Sequence, residues 1–234
     1  MRALGIIPAR GGSKGVKNKN IRQIAGEPLI AYAIRSAQES HSLTFFLTTT
    51  DSDEIALVAQ NYGSPVLMRP SELARDDTPM VPVVLHALQY AEKKVGESYE
   101  IVVLLQPTAP IRTGEDIDAV IQILRKDKTV DSIVSVSPIE DMHPGRMYRL
   151  DAEGWMEPLW SEWEIAQRQV LPVVYYRNGA IYATRRSVLI EKNTIIGERK
   201  KAYIIPRTHL LNIDDERDLI IADLLVELWK EGRL

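Results

Sequence analysis

Cysteine is absent from the 234-residue chain. Disulfide scaffolds, thiolate metal sites and cysteine nucleophiles are therefore excluded. Charge of one sign is also scarce, since 29 Lys and Arg against 32 Asp and Glu leave a net charge of −3. That balance gives no overall basic field for nucleic acid or anionic lipid, so any bound anion must be met by charges placed locally. No apolar run approaches the roughly 20 residues a membrane helix needs. The start, Met1-Arg2-Ala3-Leu4, leads straight into a strand-like run and lacks the features of a secretory signal. A cytoplasmic protein is the expectation. Low-complexity tracts and obvious repeats are missing as well. What remains is an ordinary globular composition, 45% hydrophobic and 26% charged, in a chain long enough to bury a core without staples. One domain over 1–234 is expected, with an insertion at 139–174.

The first half alternates strand and helix. Strands are expected at Ala3–Pro8, Thr44–Thr50, Pro65–Met68, Ile101–Gln106 and Ser132–Ser137. Helices are expected at Pro28–Ser40, Asp53–Tyr62, Val81–Lys94 and Gly114–Arg125, with Asp51 or Ser52 as a cap for the second. This alternation implies an α/β fold with a parallel sheet covered on both faces. Between Ile139 and Val174 the spacing turns irregular and gathers Trp155, Trp160 and Trp163. Met147–Trp160, with Asp151-Ala152-Glu153-Gly154 at its centre, reads as a β-hairpin. A lone hairpin is marginal, so the segment is expected to be an arm that packs on the body or on a second subunit. Strands resume at Ala180–Thr184 and Tyr203–Pro206, and a helix over Asp215–Glu231 follows.

In open α/β sheets ligands bind beyond the carboxyl ends of the strands. The first such loop is Arg10-Gly11-Gly12-Ser13-Lys14-Gly15-Val16-Lys17-Asn18-Lys19-Asn20. Its glycines let backbone N–H groups approach a ligand, and successive N–H groups form a nest for anions. Arg10, Lys14, Lys17 and Lys19 add local positive charge, which suits a triphosphate. Neither the Walker A spacing nor the dinucleotide glycine turn is present. Gln106 ends an apolar strand, where an amide is costly without a partner, either a ligand or a neighbouring loop.

Ile7-Pro8-Ala9-Arg10-Gly11-Gly12-Ser13-Lys14-Gly15 followed by Lys19-Asn20 resembles the opening signature of the acylneuraminate cytidylyltransferases. Arg69-Pro70-Ser71-Glu72-Leu73-Ala74, Leu105-Gln106-Pro107-Thr108-Ala109-Pro110-Ile111-Arg112, Asn178-Gly179-Ala180-Ile181-Tyr182 and Asn212-Ile213-Asp214 match in family order. The resemblance implies a Rossmann-like nucleotidyltransferase with a mainly parallel sheet and a β-hairpin dimerisation arm. It implies transfer of CMP from CTP to a nine-carbon 2-keto sugar acid, N-acetylneuraminate or a legionaminate-type relative. Arg10, Lys14, Lys19 and Asn20, with Gly11, Gly12 and Ser13, become the triphosphate cradle. Arg69 becomes a nucleotide contact, with an ion pair to Glu72 as the alternative. Gln106, Arg146, Arg168, Asn178 and Tyr182 become sugar contacts, some crossing a homodimer interface. Arg112 would cap a strand end or shape the pocket. Ile195 and Ile196 stand where relatives line an acyl pocket with aromatic residues.

The family pattern near the end is Asp-x-Asp, a carboxylate pair for Mg²⁺, whereas this chain has Asn212-Ile213-Asp214. Asp214 is therefore the expected metal ligand, Asn212 a weaker one, and Asp215 a helix cap, while Asp215 or Asp218 could compensate for the lost charge. Arg10, Lys19 and Asp214 are the expected catalytic groups. Other expectations kept open are a 3-deoxy-manno-octulosonate-type synthetase and a CTP-binding regulator that has lost catalysis.

Overall fold

The computed structural model describes residues 1–12 and 15–234. The first half runs β1 (Ala3–Pro8), β2 (Gln23–Ile24), β3 (Glu27–Pro28), α1 (Leu29–Glu39), β4 (Phe45–Thr50), α2 (Asp53–Asn61), β5 (Val66–Met68), α3 (Met80–Val95) and β6 (Ile101–Leu104). The second half runs α4 (Gly114–Lys126), β7 (Ser132–Ile139), β8 (Tyr148–Leu150), β9 (Met156–Pro158), β10 (Val174–Arg185), α5 (Arg186–Glu191), β11 (Lys200–Ile204) and α6 (Glu216–Lys230). Seven strands form one sheet in the order β11-β7-β10-β6-β1-β4-β5. All pairs in it are parallel except those of β10, which is antiparallel to both β6 and β7. The fold is thus the mainly parallel, Rossmann-like sheet that the alternation implies.

Side chains on a strand alternate between faces, and the central strands are apolar on both. Ala3 and Ile7 of β1 join Ile101 and Val103 of β6 in a core with α1, α2 and α4. Leu4 and Ile6 join Val102 and Leu104 in a core with α3 on the opposite face. Helix starts follow their caps: Ser52 accepts from the N–H of Ile55, and Thr113 and Asp116 form a reciprocal capping box on α4.

Two boundaries differ from the sequence expectation. β10 begins at Val174, not Ala180, and Asn178-Gly179 lies inside it. The register with β7 shifts between Arg177 and Tyr182, and Gly179 has φ +78°, a bulge that glycine accommodates. β11 begins at Lys200 because its backbone pairs with β7 despite two lysine side chains. Lysines on an edge strand discourage further pairing, which hides such a strand from hydrophobic patterning. The hairpin in 139–174 forms as expected, with Tyr148 opposite Pro158 and Leu150 opposite Met156.

Two helical carboxylates tie stability to pH. Burial alone would raise the pKa of Asp118, but hydrogen bonds from Ser40 Oγ and from the N–H groups of His41 and Ser42 hold it below its ordinary value. Glu92 is likewise raised by burial and lowered further by Arg186 and the N–H of Tyr99. Their stabilisation is present above the ordinary carboxylate range and is lost as pH falls through the lowered values. Urea midpoints should therefore drop below about pH 4. Asp118→Asn should lower the midpoint at pH 7 and flatten that drop, and a variant that tracks the native protein at every pH would contradict this.

Candidate active site

The chain leaves β1 for β4 and β5, then crosses back to β6 on the other side of β1. The loops after β1 and β6 therefore diverge and leave a crevice at the carboxyl edge of the sheet. A cleft of about 420 Å³ lies there, and Arg10, Lys19, Asn20, Arg69, Gln106 and Asp214 all contribute to its lining. Four distant stretches of sequence thus meet at one hollow. Ser13 and Lys14, expected in the same cradle, lie outside the described residues.

Close backbone contact joins the first loop to the last. Lys19, with 14% of its side chain exposed, donates to the carbonyl of Ile213 at 2.6 Å and lies 3.5 Å from Asp214 Oδ1. A Cβ on Gly15 would sit 2.0 Å from the Asp214 carbonyl oxygen, so only glycine permits that approach. The N–H of Ile213 donates to the Thr108 carbonyl, which ties in the loop after β6. Asn20 is buried, and its amide donates to the Arg10 carbonyl. It therefore shapes the first loop from within.

The positive side of the cleft rests on Asp51. Its Oδ1 accepts from the N–H of Gly11 at 3.2 Å and from Arg69 Nη2 at 3.3 Å. Arg69 therefore pairs with Asp51, not with Glu72. Burial lowers the pKa of Arg69, Asp51 offsets this, and the nearby Arg10 adds to the lowering. Arg69 Nε is buried with no partner among the described residues. Arg10 pairs with Asp76 across the cleft mouth. The N–H of Gly11 is taken by Asp51, whereas a Cβ on Gly12 would meet nothing within 4 Å.

Opposite these cations, the Gln106 amide makes no hydrogen bond to any described residue and lies against Gly179, where a Cβ would be 3.0 Å from its Oε1. Arg112 shapes this loop from beneath, donating to the carbonyls of Gln106, Ala109 and Ala180. At the cleft edge Asn212 Nδ2 donates to Asp214 Oδ2, and the Asp214 side chain is 72% exposed. Asp215 and Asp218 form the capping box of α6. They are committed to the helix and do not replace the missing carboxylate. Among the described residues no three of His, Asp and Glu gather as a metal cage.

Several expected sugar contacts lie elsewhere in this chain. Ile195 and Ile196 are at the opposite edge of the sheet, where the N–H of Gly197 binds Ser132 Oγ at the start of β7, and Ile195 packs into the α3 core. The antiparallel β10 carries the chain away from the cleft before this loop, which sequence spacing does not reveal. Tyr182 packs into the same core, and burial raises its pKa. Asn178 is buried and bonded to Ser135 and Ser137 within the sheet. Arg168 pairs with Glu140 and Asp141. Arg146 ends a short 3-10 turn, Pro144–Arg146, outside the cleft lining. Asp51 is a site residue that sequence reasoning misses. Asp51 was legible by the rule that led to Gln106, since it directly follows a buried strand, Thr48-Thr49-Thr50.

The geometry defines a cleft lined by Arg10, Lys19 and Arg69 at the switch point of a Rossmann-like sheet. A cytidylyltransferase family model matches residues 4–205, and the chain belongs to the cytidylyltransferase family. It is 34% identical to a CMP-N,N'-diacetyllegionaminic acid synthase of Legionella pneumophila, over 99% of both chains. It is 32% identical to an N-acylneuraminate cytidylyltransferase of Escherichia coli, over 94% of this chain and 51% of that protein, so it spans about half of that relative. A CMP:2-keto-3-deoxy-manno-octonic acid synthetase solved with CTP shares the fold, with a TM-score of 0.73, 16% identity and coverage of 99% and 100%.

Removing Asp51 leaves a buried guanidinium unpaired. Because Asp51 is itself partly exposed, Asp51→Ala should cost about 2 kcal/mol, below the usual loss for a fully buried pair. Adding Arg69→Met should recover part of the loss in thermal unfolding. A double variant as unstable as the sum of the two single variants would show that the two side chains are not coupled.

Proposed function

We propose that this chain transfers the cytidylyl group of CTP to the anomeric hydroxyl of a nine-carbon 2-keto sugar acid. The observation that carries this reading is the convergence of Arg10, Lys19 and Asp214 on one cleft that Gln106 faces from the far side. The names of the legionaminate and neuraminate relatives support the substrate class. In the reaction the anomeric oxygen bonds to the α-phosphorus, the bond from that phosphorus to the bridging oxygen breaks, pyrophosphate leaves and the hydroxyl proton is lost. Such chemistry depends on alignment and charge neutralisation rather than covalent help. Arg10 and Lys19 hold the triphosphate and stabilise the leaving pyrophosphate, with Arg10 exchanging Asp76 for phosphate oxygens. Gln106 orients the sugar through its free amide.

Mg²⁺ fits the donor set only in its usual mode, with one carboxylate and the remaining positions left to waters and substrate phosphates. Asp214 would hold it, with Asn212 fixing the carboxylate's orientation. When bound, the ion would draw charge from the phosphates and lower the pKa of an attached hydroxyl. A second reading, a CTP-binding regulator without catalysis, is favoured by one feature, the neutral Asn212.

The proposed setting is cytoplasmic, without membrane or nucleic-acid partners, and among the described residues no helix is long and apolar enough to cross a membrane. The proposed assembly is a homodimer through the 139–174 arm. Its Trp155, 76% exposed, and Ile165, 96% exposed, form apolar surface suited to a second copy. In that dimer Arg146 and Arg168 would serve the partner's sugar site.

Pyrophosphate release from CTP and Mg²⁺, with a panel of neuraminate, legionaminate and eight-carbon keto acids, tests the activity. Release is expected with a nine-carbon acid, falling at least a hundredfold in Lys19→Met and Asp214→Ala. CTP binding without release for any acid would favour the regulator, and release only with the eight-carbon acid would overturn the substrate class. Separately, Trp155→Glu should shift sedimentation from dimer towards monomer, whereas a native protein that sediments as a monomer would remove the arm's proposed role.

A further inference from the structure

A second cavity, of about 450 Å³, lies between α1 and α6, away from the cleft. Arg35, Ser36, Glu39, Arg112, Trp229 and Lys230 are among its walls. Arg112 is 1% exposed, and its four hydrogen bonds all go to neutral oxygens: Ser36 Oγ and the carbonyls of Gln106, Ala109 and Ala180. Its Nη2 is buried with no partner among the described residues. Burial lowers its pKa to about 9, against an opposing pull from Asp116, so the group is still a cation at neutral pH. A buried cation held only by neutral acceptors is costly, and a bound anion would relieve that cost.

The arrangement suits an anion in particular. Nε is taken by Ser36 Oγ, whose hydroxyl itself donates to the Ala33 carbonyl, which leaves Nη2 as the guanidinium's one donor without a partner among the described residues. A charge-assisted hydrogen bond from it to an oxyanion would be stronger than one to a neutral oxygen. Arg35 and Lys230 add two cations at the wall, against the carboxylates of Glu39 in the wall and of Glu27, which pairs with Arg35. Both are held in place, Arg35 by Glu27 at 2.6 Å and Lys230 by the Ala25 carbonyl at 3.0 Å. Trp229 supplies an apolar side.

We propose that this cavity is a second anion site, taking a small carboxylate- or phosphate-bearing molecule on Arg112. The same guanidinium holds the Gln106 and Ala180 carbonyls through Nη1, so occupancy acts on the loop that faces the cleft. The site is independent of the reading of the cleft, because its lining shares no residue with the cleft's.

Calorimetric titration of the full chain with inorganic phosphate and, separately, malonate tests it, with CTP saturating the cleft. One equivalent of at least one anion should bind. Arg35→Ala and Lys230→Ala should each weaken it about tenfold. Phosphate binding without malonate binding would identify a phosphate ligand, and the reverse a carboxylate. Heat that disappears once CTP is present, or that survives both cavity substitutions, would overturn the site. No heat with either anion at millimolar concentration would also overturn it, leaving Nη2 to a buried water.

Discussion

Lys19 binds the carbonyl of a residue 194 positions away, and the cleft depends on that bond. Its ammonium reaches Ile213 and borders Asp214 only because Gly15 lets the first loop lie against the last. The N–H of Ile213 then fixes the loop after β6 through Thr108. Three loops from separate strands therefore hold one shape, and the ammonium sits in the cleft lining beside Asp214. Preorganised charge of this kind requires little rearrangement when a ligand binds.

Charge in the cleft is balanced by acids that are themselves anchored. Asp51 holds Arg69 and the Gly11 backbone together, while Asp76 engages Arg10 from across the mouth. The cations are thus kept near one another in a chain whose net charge is slightly negative. A polyphosphate that displaces Asp76 would gain Arg10, whereas Asp51, beneath the loop, would stay in place.

Much of this was legible in the sequence where local chemistry decides the structure. The apolar runs of β1 and β6, the Ser52 cap and the cluster of glycines and cations from Arg10 to Asn20 all announce their positions. Asp215 could be read as a cap because it precedes an apolar helical stripe. What stayed hidden is set by tertiary pairing. The reversed direction of β10 takes Ile195 and Ile196 to the far edge of the sheet, and the lysines of β11 mask a strand formed by backbone pairing. The ion pairs of Arg168 with Glu140 and Asp141 are likewise set by the fold rather than announced by spacing. The partner of Arg69 was also hidden, since Glu72 is the acid near it in sequence and only the fold brings Asp51 to it.

A crystal structure of the chain grown with CTP would test the central claim most directly. Phosphate oxygens are predicted within hydrogen-bond distance, about 3 Å, of both Arg10 and Lys19, with the Lys19–Ile213 contact retained. A triphosphate bound outside this cleft, or one that reaches Lys19 only after the first and last loops separate, would contradict the account.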